Sequence, residues 1–409
     1  MRRRVKIVAV VAALALVVTV GALARTAADP GVSSNSILLG GTFPLSGPAS
    51  LYGTIPQAEK AYFDWYNATH PKGIFGRKIN FKYLDDGYNP AQTVPLTRQL
   101  VEQDKVFAIF NSLGTAPNLA TRAYLNQRKV PQVLLATGDS YWGYQYKQYP
   151  WTIGYNPDYL GEGKIYGKFI QSKVPQAKIG VLYQNDAFGQ NYLTGLKAGL
   201  GNAKEKIVDA EPYDANAVSV TQQMVKLKAS GANVFMDFAT PSQSITALVT
   251  AAKLNWSPTL FVANISASPA FMGIVAKTAG PAAVNGAIST GYLKTATSPD
   301  YAKDAGIKLY KAIMAKYYPK GNVLDDNNVY GMSAAWTMVY ALQHAGKNPT
   351  RASLLRALTT MSTKANPFLF PGIVMKTSRT DHFLIDQLSL IRWQGTYWHP
   401  FGHLFNKAR

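Results

Sequence analysis

Along most of the chain, short apolar runs rich in β-formers are followed by stretches with apolar residues three and four positions apart. That pattern predicts strand, then helix, repeated. The first elements are strand Ile37–Phe43, a helix from about Tyr52 to Asn67 with Ala58, Ala61, Tyr62 and Trp65 on one face, and strand Ile79–Leu84. A helix capped by Asn89, with Pro90 at its first position, runs to about Gln103. Strand Val106–Phe110, a helix to about Arg128 and strand Val130–Leu135 then form a βαβ unit. Its strands should be parallel, and its two loops should open at the same carboxyl edge of a sheet. These loops are Asn111-Ser112-Leu113-Gly114-Thr115 and Thr137-Gly138-Asp139-Ser140. Thr115 or Asn118 is expected to cap the helix, with Pro117 in its first turn. Ligands of open α/β sheets bind at this edge, and here it offers hydroxyls and backbone N–H groups rather than catalytic side chains.

Tyr141–Tyr159 breaks the alternation with aromatics, Gly and Pro, and reads as a connection between domains. Alternation resumes with helix Leu160–Ile170, strand Lys178–Tyr183, helix Gln190–Leu200, strand Ile207–Ala210, helix Val218–Ala229 and strand Val234–Phe238. Helix Gln243–Leu254, strand Leu260–Val262 and a short helix near Ala270–Ala276 follow. Helices Tyr301–Tyr317, Val329–Ala345 and Ala352–Leu358 come without comparable strands, before β-like runs at Phe383–Ile391 and Tyr397–Phe401. The expected fold class is α/β, with two doubly wound Rossmann-like halves and a chain that crosses back between them.

The 409 residues suffice for two domains. Arg2-Arg3-Arg4 and Lys6 precede an uncharged run, Ile7–Ala24, ending Ala22-Leu23-Ala24, which describes a secretory signal peptide over residues 1–24. An uncleaved anchor is the alternative, and either places the remaining domains outside the cytoplasm. The chain has no cysteine, which excludes disulfides, thiolate metal sites and a lipid-bearing cysteine, so an apolar core must hold the fold. The formal charge of +20 is spread along helices without a dense basic run, which argues against nucleic acid as a partner.

Catalytic signatures are missing. The sequence holds five histidines; His399 and His403 are four apart, but Pro400 and Gly402 keep them off a common helix face, and no metal site is expected. There is no G-x-S-x-G elbow and no Walker A loop. Gly161-Glu162-Gly163 with Gly167 approximates a dinucleotide fingerprint with one residue too many and no preceding strand. Asp85 and Asp86 end a strand, point to opposite faces and suit a turn. Neither an enzyme nor a cofactor is expected. In the aromatic stretch, Tyr141, Trp142, Tyr155 and Tyr159 could stack on a flat or apolar solute or pack a hinge.

A series of motifs runs along the chain: Phe43-Pro44-Leu45-Ser46-Gly47-Pro48 through Tyr52-Gly53, Gly76-Arg77-Lys78-Ile79, and Asp85-Asp86 followed by Pro90. Val130-Pro131, Asp186-Ala187-Phe188-Gly189 and the closing hydrophobic strands continue it. In the order and spacing of these motifs, from about Ser36 to Phe405, the chain bears a resemblance to the type I periplasmic binding proteins of branched-chain amino-acid (leucine/isoleucine/valine) ABC transporters. The resemblance implies two lobes joined by three crossovers, about 36–154 with 291–375 and about 155–290 with 376–409, closing over a solute. It implies solute contacts at Ser112, Leu113, Gly114 and Thr115, largely through backbone N–H groups, and at Thr137, Gly138 and Ser140. On the second lobe it implies Phe188, Thr240 and Asn264, with Ser46, Tyr52, Tyr155 and Tyr159 as further candidates. Amino-acid binders of the family carry an acidic residue after the fourth strand of lobe two, where this chain has Ala263-Asn264-Ile265-Ser266-Ala267. The expected solute is therefore a small carboxylate or amino acid with an apolar or aromatic body and no obligatory α-ammonium group. The implied partner is an ABC permease, with contact to the membrane through it or through an uncleaved leader. An extracellular sensor module passing a signal to a partner protein is the alternative function.

Overall fold

The computed structural model describes residues 29–406, so the expected leader lies outside the described residues. The first sheet is built from β1 (Ser36–Phe43), β2 (Lys78–Asp85), β3 (Ala108–Phe110), β4 (Gln132–Leu135) and β5 (Thr152–Gly154). Its order is β2-β1-β3-β4-β5, with every pairing parallel. Helices α1 (Thr54–Thr69), α2 (Pro90–Arg98), α3 (Thr115–Gln127) and α4 (Tyr141–Tyr144) connect these strands. β3 and β4 are buried at every position, so neither shows a polar and apolar alternation, and Gln132 is the one polar residue in the two.

The second sheet alternates with its covering helices along the chain: α5 (Tyr159–Lys173), β6 (Ile179–Gln184), α6 (Ala187–Leu200), β7 (Ile207–Tyr213), α7 (Thr221–Ala229), β8 (Val234–Phe238), α8 (Pro241–Lys253), β9 (Thr259–Val262), α9 (Pro269–Ala279) and β10 (Ile288–Gly291). The chain then runs through α10 (Ala305–Tyr317), α11 (Asp326–His344), α12 (Arg351–Leu358) and the small pair β11 (Ser362–Thr363) and β12 (Met375–Lys376). Helices α10 and α11 pack on α1 and so complete the first lobe. Strands β13 (Leu388–Gln394) and β14 (Tyr397–Phe405) return to the second sheet, whose order is β14-β13-β10-β9-β8-β6-β7. Segments around 155–158, 292–298 and 377–387 carry the chain between the sheets, giving two doubly wound lobes and three crossings.

Several expectations needed correction. The stretch read as a connection contains α4 and the edge strand β5, which is three residues long and too short to show a period. β10 was missed altogether: Ser289 and Thr290 look like a turn, yet both are fully buried, and the Thr290 N–H is taken by the Tyr166 hydroxyl at 3.1 Å. α2 does not continue regularly to Gln103. Pro95 lies inside it, and the backbone widens into a π-type turn over Gln99–Gln103. Asn89 does cap α2, accepting the Ala91 N–H. Neither Thr115 nor Asn118 caps α3. Gly114 holds that position at φ +99°, where an added Cβ would lie 2.5 Å from the Tyr88 ring.

Candidate functional site

The loops after β3 and β4 run side by side. Leu113 and Ala136 form a parallel bridge, and the Thr115 and Thr137 hydroxyls lie 2.6 Å apart. Asn118, one turn into α3, is occupied in bracing this edge: its Nδ2 donates to the carbonyls of Ser112 and Gly114, both at 2.8 Å. The Leu113 N–H goes to Thr42 O at 3.0 Å. The first N–H groups of a helix have no partner within it, so the start of α3 is an anion-binding position that needs no arginine.

Leu113, Gly114 and Thr115 form part of a cavity between the lobes, with about 860 Å³ of non-atom space, its mouth included. The second lobe contributes Phe188 from the first turn of α6, Thr240 from the position before α8, and Asn264 and Ile265 from the turn after β9. Seven aromatic side chains line it: Tyr52, Tyr88, Tyr159, Phe188, Tyr292, Tyr330 and Trp398. Tyr159 packs edge-on to Phe188 with centroids 5.3 Å apart and stacks on Tyr192 at 4.7 Å. No lysine or arginine is among the described residues that line the cavity.

The structure separates the sequence candidates. Leu113, Gly114, Thr115, Phe188, Thr240, Asn264, Tyr52 and Tyr159 line the cavity. Ser112, Thr137, Gly138, Ser140, Ser46 and Tyr155 stand outside its lining. Ser112 Oγ accepts the Thr42 N–H at 3.0 Å, and Thr137 supports Thr115 from behind. Gly138 lies against the first crossing, its carbonyl accepting the Tyr159 N–H at 2.8 Å; a Cβ there would be 2.1 Å from Pro157 O. The Ser140 N–H already reaches lobe two, at Asn191 Oδ1, 3.1 Å away. Tyr155 is fully buried, bonded to Ser333 at 2.7 Å and packed edge-on to Tyr330. Ser46 is exposed beside Asp85, whose Oδ1 accepts the N–H groups of Leu45, Ser46 and Gly87. His399 pairs with Asp300 while the His403 ring lies tilted against Phe405, and no metal-binding group of three or more His, Asp or Glu occurs among the described residues.

Two acidic groups shape the polar part of the site. Glu162, in the first turn of α5, is buried behind the cavity and pushed up to about 7 by that burial. Its Oε1 accepts the Tyr166 hydroxyl at 2.6 Å and the Asn264 N–H at 2.8 Å, and its Oε2 accepts the Tyr192 hydroxyl at 2.8 Å. The second is Asp326, at the first position of α11, which lines the cavity itself. Burial, reinforced by the neighbouring Asp325, holds its carboxyl well above the usual range. The sequence gives no sign of this: Asp325-Asp326-Asn327-Asn328 reads as a helix cap, and Asp325 is indeed the cap, accepting the Asn327 N–H at 3.1 Å. Residues 263–267 supply no carboxylate to the cavity, but lobe one brings Asp326 into its lining from α11.

Residues 36–397 match the periplasmic binding protein family. The chain belongs to that family. This binding protein is 24% identical over 188 residues to the leucine-, isoleucine-, valine-, threonine- and alanine-binding protein of Pseudomonas aeruginosa, covering 46% of this chain and 49% of that one. It thus spans about half the length of the curated relatives it matches. Its fold resembles a branched-chain amino-acid ABC transporter protein from Thermus thermophilus with bound valine, at TM-score 0.77 and 19% identity over 92% of this chain and 97% of that one. It also resembles an R. palustris solute-binding protein in complex with 4-hydroxybenzoate, at TM-score 0.73 and 19% identity over 92% and 98% of the two chains. The family is one of extracytoplasmic solute-binding proteins rather than enzymes.

Proposed function

We propose that this binding protein is the solute receptor of an ABC importer. It captures a small carboxylic or amino acid with an apolar or aromatic body between its lobes, outside the cytoplasm, and presents it to a membrane permease. The observation that carries this reading is the cavity itself. The start of α3 offers N–H groups to a carboxylate, while Phe188, Tyr159 and their ring neighbours offer apolar walls to the body. Valine and 4-hydroxybenzoate, held by the two structural relatives, are both carboxylates on apolar bodies. Segments 36–154 with 291–375, and 155–290 with 376–409, are proposed as the bodies that close, and residues 1–24 as a leader removed on export.

A thermal-shift screen of aliphatic acids, aromatic acids and amino acids tests the reading. A ligand at a hundred times its Kd stabilises the state it binds by about 2.7 kcal/mol, so a true solute should raise the melting temperature clearly. A screen in which no carboxylate does so would reject the proposal. The mass of the protein recovered from the cell envelope tests the leader.

A further inference from the structure

We infer that Asp326 determines specificity by receiving a hydrogen-bond donor of the solute, an ammonium or hydroxyl group carried besides the carboxylate. The inference rests on the solute-binding reading above and adds a second polar requirement to it. Asp326 lines the cavity; one of its oxygens takes the Ala296 N–H, while Oδ1 is shut off from solvent without a hydrogen-bond partner. Burial without a cationic partner favours the protonated form of this carboxyl, and its Oδ1 stays unpaired, so the position calls for a charged or polar donor that the chain itself does not supply.

The neighbouring charges do not fill this need. Lys294, close in sequence to Ala296, is turned to Asp304 Oδ2 at 2.8 Å and Pro367 O at 2.9 Å. Stabilising the start of α11 explains an acidic residue in that turn. That task already falls to Asp325, which accepts the Asn327 N–H and is further bonded to Thr54 at 2.9 Å and Ser268 at 3.0 Å. Other carboxylates near the cavity are engaged: Glu162 by two tyrosines and a backbone amide, Asp186 by Gln184 at 2.7 Å and the Gly189 N–H at 3.3 Å. Asn156 Oδ1 is a second buried acceptor without a partner among the lining residues. With no lysine or arginine in the described lining, this part of the cavity is set to accept protons in hydrogen bonds.

Calorimetric titration of the wild type, Asp326→Asn and Asp326→Leu against matched acids tests the inference. The pairs are phenylalanine with 3-phenylpropanoate and 4-hydroxybenzoate with benzoate. The wild type should prefer the donor-bearing member of at least one pair by about tenfold or more, the value of a hydrogen bond to a charged group. If the donor is an ammonium, both variants lose the preference. If it is a hydroxyl, Asp326→Asn keeps part of it and Asp326→Leu loses it. Either variant should still bind the donor-free acid. Equal preference in all three proteins overturns the inference while leaving solute binding intact. Equal loss of both members in the variants shows a structural role and overturns it too. Failure of the wild type to bind any carboxylate in this assay or the wider screen removes the solute-binding reading and the inference together. Melting curves give an independent readout. Removing an unpaired buried carboxylate should hold or raise the unliganded melting temperature of Asp326→Asn, and a fall of several degrees contradicts the inference.

Discussion

Tyr52 joins the two lobes with one atom. Its ring is buried in the cavity wall, and its hydroxyl donates across the cleft to the carbonyl of Ile265 at 3.2 Å. Tyr52→Phe keeps the ring and removes the bond. We expect binding of the best acid from the screen to weaken about two- to tenfold, the range of one neutral hydrogen bond, with little change in unliganded stability. Unchanged affinity in calorimetry would show that the bond is not part of the bound form. Glu162 supports a different expectation. Its ordinary value is 4.5 and its folded value about 7, so the folded protein keeps a proton that the unfolded chain releases across that window. The resulting stability is complete below about pH 4.5 and is lost as pH rises through 7. Asp139, Asp158 and Asp237, each also pushed up to about 7 by burial, act in the same direction. The melting temperature should therefore fall between about pH 5 and about pH 8, and Glu162→Gln should fall less steeply; parallel curves would contradict this. The sequence put Tyr52 among the candidates but not its bond across the cleft, and it marked neither buried acid. Glu162 and Asp326 stand in first helical turns, where an acidic residue is ordinary, and what sets them apart is burial.

Helices α5 and α6 touch almost backbone to backbone. A Cβ at Gly163 would lie 2.5 Å from Tyr192 O, at Gly167 2.5 Å from Leu196 O, at Gly195 2.1 Å from Leu160 O, and at Gly199 2.3 Å from Lys164 O. Glycines four apart on both partners thus let two helices approach closely, and the approach fixes Tyr159 and Phe188 at their starts. Gly195→Ala should destabilise by about 1–3 kcal/mol, as overpacking does, and should weaken solute binding by displacing those rings. A denaturant midpoint equal to the wild type would dismiss the contact. The sequence displayed these glycines openly. Gly161, Gly163 and Gly167 resembled a damaged phosphate loop, and nothing local distinguishes a glycine needed by a ligand from one needed by a neighbouring helix.

At the scale of the molecule, the lobes meet through small polar contacts. Ser268 of lobe two donates to Asp325 at 3.0 Å and accepts the Asp326 N–H at 3.1 Å, while Asn191 bonds both the Ser140 N–H and Asp139 Oδ2. Each can be exchanged for water on opening, so each adds little, and the solute is left to decide the balance. Small-angle scattering should show a smaller radius of gyration on adding a stabilising acid, with each lobe moving as a body about the three crossings. Identical curves with and without a tight ligand would oppose this. The two-lobed α/β architecture was legible because strands such as β3, β4 and β8 are buried on both faces and announce themselves as apolar runs. β5 and β10 were not, being short or built from Ser, Thr and Gly that hydrogen-bond in the interior. The cavity was legible at one edge, where a βαβ unit dictates loop position. Tyr88, Tyr292, Tyr330, Trp398 and Asp326 reach it from distant segments, which no local pattern connects.

The third crossing has a consequence for the order of synthesis. β13 covers the open side of β10, and it is made after α10, α11 and α12 have returned to the first lobe. A nascent chain therefore cannot finish lobe one before α11 emerges, nor the second sheet before residues 388–405 emerge. Such long-range closure slows folding and keeps the growing polypeptide loose for longer. The same dependence makes incomplete chains hazardous. A polypeptide stopped after Asp386 would present β10 as an unpaired edge ready to pair with another copy, and it should collect in aggregates. Recovery of that fragment as a soluble, acid-binding monomer would show that lobe two closes without its final hairpin.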